Sequence, residues 1–92
     1  MTDRATWLKA LAGVRFGPGD AVEGRCPHCG REELHARYVA DRESRLGYVL
    51  FWCEACVHGI SVSRARAPED APIRPFGDPA STAGVPAFRR DE

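Results

Sequence analysis

Cys26-Pro27-His28-Cys29-Gly30 and Cys53-Glu54-Ala55-Cys56-Val57-His58-Gly59 decide how this chain is read. Each cysteine pair brackets two residues, and 23 residues separate Cys29 from Cys53. A two-residue spacing lets both thiolates of a turn converge on one ion, while the backbone N–H groups of the turn offset thiolate charge. Gly30, directly after Cys29, suits a position where the backbone needs a positive φ. The intervening segment is long enough for two antiparallel strands that leave the site and return to it. Four soft ligands in tetrahedral convergence favour zinc and leave no open coordination position. The expectation is one structural Zn2+ per chain, held by Cys26, Cys29, Cys53 and Cys56.

The sequence between and beyond the pairs reads as strands. Residues 32 to 40 alternate, with Leu34, Ala36 and Tyr38 on one face and His35, Arg37 and Val39 on the other. Asp41 to Arg45 is a polar connection without the Asn-Gly or Asp-Gly signal of a tight hairpin. Leu46 to Trp52 is the most apolar run, and Ile60 to Arg66 supplies a third short strand. The expected fold is small and mainly β: a three-stranded antiparallel sheet with two cysteine turns at one end. In the middle strand Tyr48, Leu50 and Trp52 point one way while Val49 and Phe51 point the other. Both faces of that strand are apolar, so a bare sheet would leave one of them wet and something must cover it.

At these residues the chain resembles the zinc ribbon class. Cys26-Pro27-His28-Cys29-Gly30 is similar to that class's usual first knuckle, Cys-Pro-x-Cys-Gly. In the second knuckle Val57 stands where glycine is often found and Gly59 comes two positions later, a departure that points to a wider turn. The resemblance covers roughly residues 22 to 67 and implies zinc on the four cysteines. It leaves the role open, because zinc ribbons occur in transcription, ribosome, RNA-processing and protein-assembly factors. Rubredoxin-like iron proteins are the metal rival, with Tyr48, Phe51 and Trp52 as an aromatic core. Those proteins tend to carry Cys-x-x-Cys-Gly in both turns and a strongly acidic surface, unlike this chain.

Working outward, residues 1 to 21 read as an N-terminal helix and a Gly/Pro connector. Trp7, Leu8, Leu11 and Ala12 fall at helical spacing, with Thr2 as candidate cap and Gly13 as stop. About three turns of helix barely stand alone in water, so Trp7 and Leu11 are the docking stripe. Gly13, Gly17, Pro18 and Gly19 mark the connector. Residues 22 to 67 form the four-cysteine domain. Residues 68 to 92, with prolines at 68, 72, 75, 79 and 86, are expected to be an extended tail without regular structure. Phe76 and Phe88 in that tail are anchors, either onto the domain or onto a partner.

Composition narrows the function classes. The chain has 92 residues, with 13 acids balancing 13 bases, 12 of which are arginine. Four thiolates around one divalent ion would take the net charge to about −2, so no strong global attraction to a polyanion is expected. No apolar run reaches the length of a membrane span, and the opening Met-Thr-Asp-Arg does not resemble a secretory leader. A cytoplasmic location without membrane association is expected.

Among polar residues, His28, His35 and His58 read as surface or ligand-neighbouring groups. His58 is an alternative ligand only if Cys56 turns away. No acid–base pair suits catalysis, so the chain is not expected to be an enzyme. A redox Cys-x-x-Cys usually caps a helix, whereas both pairs here lie between strands; thiol–disulfide exchange stands as an alternative. Arg25, Arg31, Arg37, Arg64 and Arg66 are candidate nucleic-acid contacts, because arginine pairs with phosphate and an exposed aromatic stacks a base. Acids interspersed among them weaken that patch. The leading expectation is a small interaction or assembly module with a protein partner. Trp7, Leu11, Phe76 and Phe88 would be its partner or packing anchors, and burial of Trp7 and Phe88 within the chain would count against a partner role.

Overall fold

The structure is a computed structural model, which describes residues 3 to 16 and 21 to 91. Helix α1 spans Arg4–Gly13 and is followed by the short strands β1 (Arg15–Phe16) and β2 (Val22–Glu23). Then come β3 (Leu34–Ala40), β4 (Leu46–Cys53), β5 (His58–Arg66), β6 (Ile73–Arg74), a 3-10 turn (Pro79–Thr82) and β7 (Arg89–Arg90). Asp3 caps the helix: its carboxylate accepts from the backbone N–H of Thr6 at 2.9 Å, the bond a helix N-terminus otherwise lacks. The expected cap, Thr2, lies outside the described residues, as do Gly17, Pro18 and Gly19 of the connector. The helix does end at Gly13. Among the described residues no helix is long and apolar enough to cross a membrane.

The three expected strands form the centre of a larger sheet. β3, β4 and β5 are an antiparallel meander, with Ala36 opposite Phe51 and Phe51 opposite Ile60. The tail adds a strand at each edge, giving five strands in the order β6-β3-β4-β5-β7, and β1 pairs with β2 in a separate two-stranded sheet. The expectation of three strands and an irregular tail is therefore corrected. β6 runs parallel to β3 and β7 parallel to β5. Each edge strand is only two residues long, so Pro72 and Pro75 beside β6 and Pro86 ahead of β7 are accommodated without breaking a ladder.

β4 is the central strand, as its two apolar faces require. On one face Val49 and Phe51 pack with Ala36, Tyr38 and Ile60 beneath α1, and Trp7 meets Phe51 edge-on at 5.5 Å. Trp7 is fully buried there. On the other face the tail crosses from the β3 edge to the β5 edge. Phe88, 6% exposed, stacks on Trp52 at 5.9 Å, while Phe76 leans on Tyr48 at 6.3 Å. Helix and tail thus divide the cover between them. Phe76 itself remains exposed and Leu11 is half-buried.

The β3–β4 connection achieves its turn without an Asn-Gly pair. The Asp41 carboxylate accepts from the N–H groups of Glu43 and Ser44 at 3.0 and 2.9 Å, closing the loop locally. Arg45 then takes a left-handed conformation at φ 60°. Its guanidinium donates to the carbonyls of Ala67, Pro68 and Ala71 at 3.1, 2.5 and 2.6 Å. The side chain marking the hairpin tip therefore anchors the start of the tail.

Candidate metal centre

Two turns of the same construction bring the cysteines together. In the first, Gly30 N–H donates to Cys26 C=O at 2.9 Å; in the second, Val57 N–H donates to Cys53 C=O at 2.9 Å. Val57 accordingly occupies the left-handed conformation at φ 57° that Gly30 occupies at 81°. The second turn is not wider than the first; a β-branched residue adopts the strained backbone instead. Gly59 has a separate duty. A Cβ there would lie 2.1 Å from the Phe51 carbonyl oxygen, so only glycine lets β5 pass β4 at this point.

The sulfurs meet across the two turns. Cys26 Sγ lies 3.7 Å from Cys56 Sγ, and Cys29 Sγ lies 3.6 Å from Cys53 Sγ. All four fall within 4.8 Å of one another. A tetrahedron with Zn–S bonds of about 2.3 Å has edges of about 3.8 Å. Four free thiols at these separations can hold one metal ion, and the soft, four-sulfur donor set fits zinc. Cys26 and Cys53, the first of each pair, are buried, whereas Cys29 is exposed and Cys56 half-buried. The centre therefore sits at the rim of the core with its inner sulfurs packed inside.

Backbone donors surround the sulfurs. The N–H groups of His28 and Cys29 point at Cys26 Sγ from 3.3 and 3.4 Å. The Arg31 N–H holds the Cys29 thiol below its ordinary pKa, with burial acting in the opposite sense. Burial pushes the Cys53 and Cys56 thiols up, although the N–H groups of Cys56 and Ala55 act against it at Cys53 and that of His58 at Cys56. The donors follow the same pattern in both turns, so a thiolate set formed on a metal would find its N–H groups already in place.

Beside this centre lies a cluster that sequence reading missed. His28 and His58 stack at 4.1 Å with planes 14° apart, and His58 Nδ1 is 3.0 Å from Asp91 Oδ1. Trp7 Nε1 donates to the other oxygen, Asp91 Oδ2, at 2.8 Å. Burial pushes the Asp91 carboxyl up, but the bonds from His58 and Trp7 outweigh it and hold the group below the usual aspartate value. The third histidine, His35, expected at the surface, is half-buried and stacked on Trp52 at 5.5 Å.

The candidate arginines separate. Arg37 is 7% exposed, and its guanidinium donates to the carbonyls of Ser81 and Ala83 in the tail. It is committed to the fold and does not present a phosphate-binding surface. Arg25, Arg31, Arg64 and Arg66 are exposed. Arg25 and Arg31 flank the first cysteine turn, whereas Arg64 and Arg66 lie toward the far end of β5, roughly 20 to 26 Å from its start at about 3.3 Å per residue. They do not form one patch. Of the aromatic anchors, Trp7 and Phe88 are used within the chain. No family model, no curated protein and no solved structure matches this chain.

Proposed function

We propose that this is a non-enzymatic protein of the zinc ribbon class, in which Cys26, Cys29, Cys53 and Cys56 hold one structural Zn2+ as thiolates. The observation carrying this reading is the pair of sulfur contacts across the turns, 3.7 and 3.6 Å, close to the edge of a zinc–thiolate tetrahedron. All four positions are filled by protein, so the ion has none left for a substrate or a water. Neither cysteine pair opens a helix, and a thiol–disulfide enzyme would lack the dipole that activates its nucleophile. Elemental analysis of protein purified without added metal, with thiol titration alongside, tests the reading. One zinc per chain and no reactive thiol is expected; four reactive thiols and no metal would overturn it.

The zinc-stabilised module acts by binding another protein. Burial of Trp7 and Phe88 inside the chain removes two of the expected anchors, and the reading rests instead on α1. Leu8 is 39% exposed and lines, with Leu11, Val14, Phe16 and Val62, a mostly apolar groove that also carries Arg66 and Asp70. The dispersed arginines favour nucleic acid less. A photo-crosslinking residue at position 8, introduced in cells, tests this: a protein adduct abolished by Leu11→Asp is expected. Recovery of RNA or DNA in place of protein would reverse the preference.

A further inference from the structure

We propose that His28, His58 and Asp91 form a second metal site, exchangeable and separate from the four-thiolate centre, for a borderline divalent transition ion such as nickel or zinc. One ligand atom from each residue lies within 4.8 Å of the others. Two ligands bound at about 2.1 Å to one ion stand at most about 4.2 Å apart. To bring a nitrogen within that distance the exposed His28 ring must leave its stack on His58, because nearly parallel rings direct their lone pairs along separate planes. Two imidazoles and one carboxylate suit nickel, cobalt, iron or zinc and disfavour calcium and magnesium, which prefer all-oxygen sites.

The site is built rather than accidental in its support. The fully buried indole of Trp7 fixes one carboxylate oxygen of Asp91, leaving Oδ1 directed at His58. A ligand held from behind in this way is already oriented for a metal. The carboxylate is charged and only 11% exposed, so its attraction for a cation is weakly screened. The inference rests in one respect on the zinc reading. Four thiolates and one Zn2+ carry a net charge of about −2 immediately beside His28, which further favours a second cation.

The three ligands come from three places: the first cysteine turn, the start of β5 and the residue after β7. β7 is held to β5 by few bonds, among them Arg89 N–H to Val57 C=O and Asp91 N–H to Gly59 C=O, both 2.8 Å. An ion on His28, His58 and Asp91 would pin the end of the tail to both cysteine turns. Three protein ligands leave coordination positions open to solvent, which makes the ion exchangeable and leaves room for a ligand atom from another molecule.

The test uses the full chain without an affinity tag, loaded with zinc, exposed to excess Ni2+ and passed through a desalting column. Zinc and nickel are counted in the same sample, so failure of the four-thiolate reading appears as missing zinc and failure of this one as missing nickel. One nickel per chain beside one zinc is expected, with paramagnetic broadening of the His28 and His58 ring resonances. Slower hydrogen exchange is expected at the Arg89 and Asp91 amides. His28→Gln, at an exposed position, should reduce retained nickel at least tenfold with zinc unchanged, and Asp91→Asn should do the same. No retained nickel, or nickel retained equally by His28→Gln, would overturn the proposal.

Discussion

Trp7 Nε1 donates a hydrogen bond to Asp91 Oδ2 at 2.8 Å, joining residues 84 positions apart. The indole body lies under the sheet against Phe51, while its N–H reaches the edge where β7 ends. One side chain therefore contributes to the core and fixes the carboxylate that His58 faces. A buried indole needs a partner for its N–H, and a partly buried carboxylate needs donors. Each satisfies the other.

Removing that side chain separates the two roles. Trp7→Ala should cost about 3 to 5 kcal/mol, the range for deleting a large buried aromatic. Trp7→Phe keeps much of the contact with Phe51 and should cost less, yet still release Asp91. Chemical denaturation measures the cost of each, and amide exchange at Asp91 reads the loosening. If both variants leave exchange at Asp91 unchanged, the indole bond does not hold the tail.

Val57 is the position where local preference and fold disagree. Its φ of 57° is left-handed, a region costing a residue with a Cβ roughly 1 to 2 kcal/mol. Glycine escapes that cost but loses more freedom on folding, so Val57→Gly should stabilise by about 1 kcal/mol with metal content unchanged. The reciprocal change, Gly30→Val, should destabilise by a similar amount. A Cβ at Gly30 would meet nothing within 4 Å, so the backbone alone accounts for its loss. Paired urea melts at saturating zinc check both signs.

Metal binding should be linked to pH through the thiols. In the metal-free chain burial raises Cys53 and Cys56 above the ordinary thiol value, while the Arg31 N–H lowers Cys29. Near pH 7 the buried Cys53 and Cys56 are protonated, and binding as thiolates must displace their protons. Ligation holds the bound thiols far below their unfolded values near 8.5. The resulting stability is therefore present at higher pH and lost as pH falls and protons compete for sulfur. Calorimetric titrations in buffers of different ionisation enthalpy count the protons, and release of fewer than two would exclude four-thiolate binding. Cys53→Ser, at a fully buried sulfur of the proposed centre, should lose both the metal and the cooperative melt.

The cysteine turns were legible because their chemistry is local: two residues between thiols, and a glycine where φ turns positive. The central place of β4 was legible for a related reason, since Leu46 to Trp52 has two apolar faces and each requires cover. What sequence did not disclose depends on contacts between distant residues. β6 and β7 contain two residues each and are strands only because β3 and β5 offer free edges. Arg37 alternates with His35 and Val39 as a solvent-facing residue would, until the tail lays carbonyls over it. His28 and His58 were visible as residues beside the cysteines. Their relation to Asp91 was not, because it exists only after the tail has crossed the sheet.

Arg37 provides the sharpest test of that crossing. Its guanidinium donates to Ser81 C=O at 3.3 Å and also to Ala83 C=O, fastening the middle of the tail over β3. Hydrogen bonds from a charged donor contribute about 1.5 to 3 kcal/mol. Arg37→Leu retains apolar contact but leaves those carbonyls without their donor, so a loss in that range is expected. The loss should be local. Amides of residues 81 to 88 should exchange faster, and Trp52 should gain solvent exposure as Phe88 loosens, while zinc stays at one per chain because the cysteine turns, one between β2 and β3 and the other between β4 and β5, are not part of the tail. Exchange mapped along the chain, with quenching of Trp52 fluorescence in a Trp7→Phe background, measures both effects. Unchanged exchange across the tail would show that Phe88 stacked on Trp52, together with β6 and β7, suffices to hold it without Arg37.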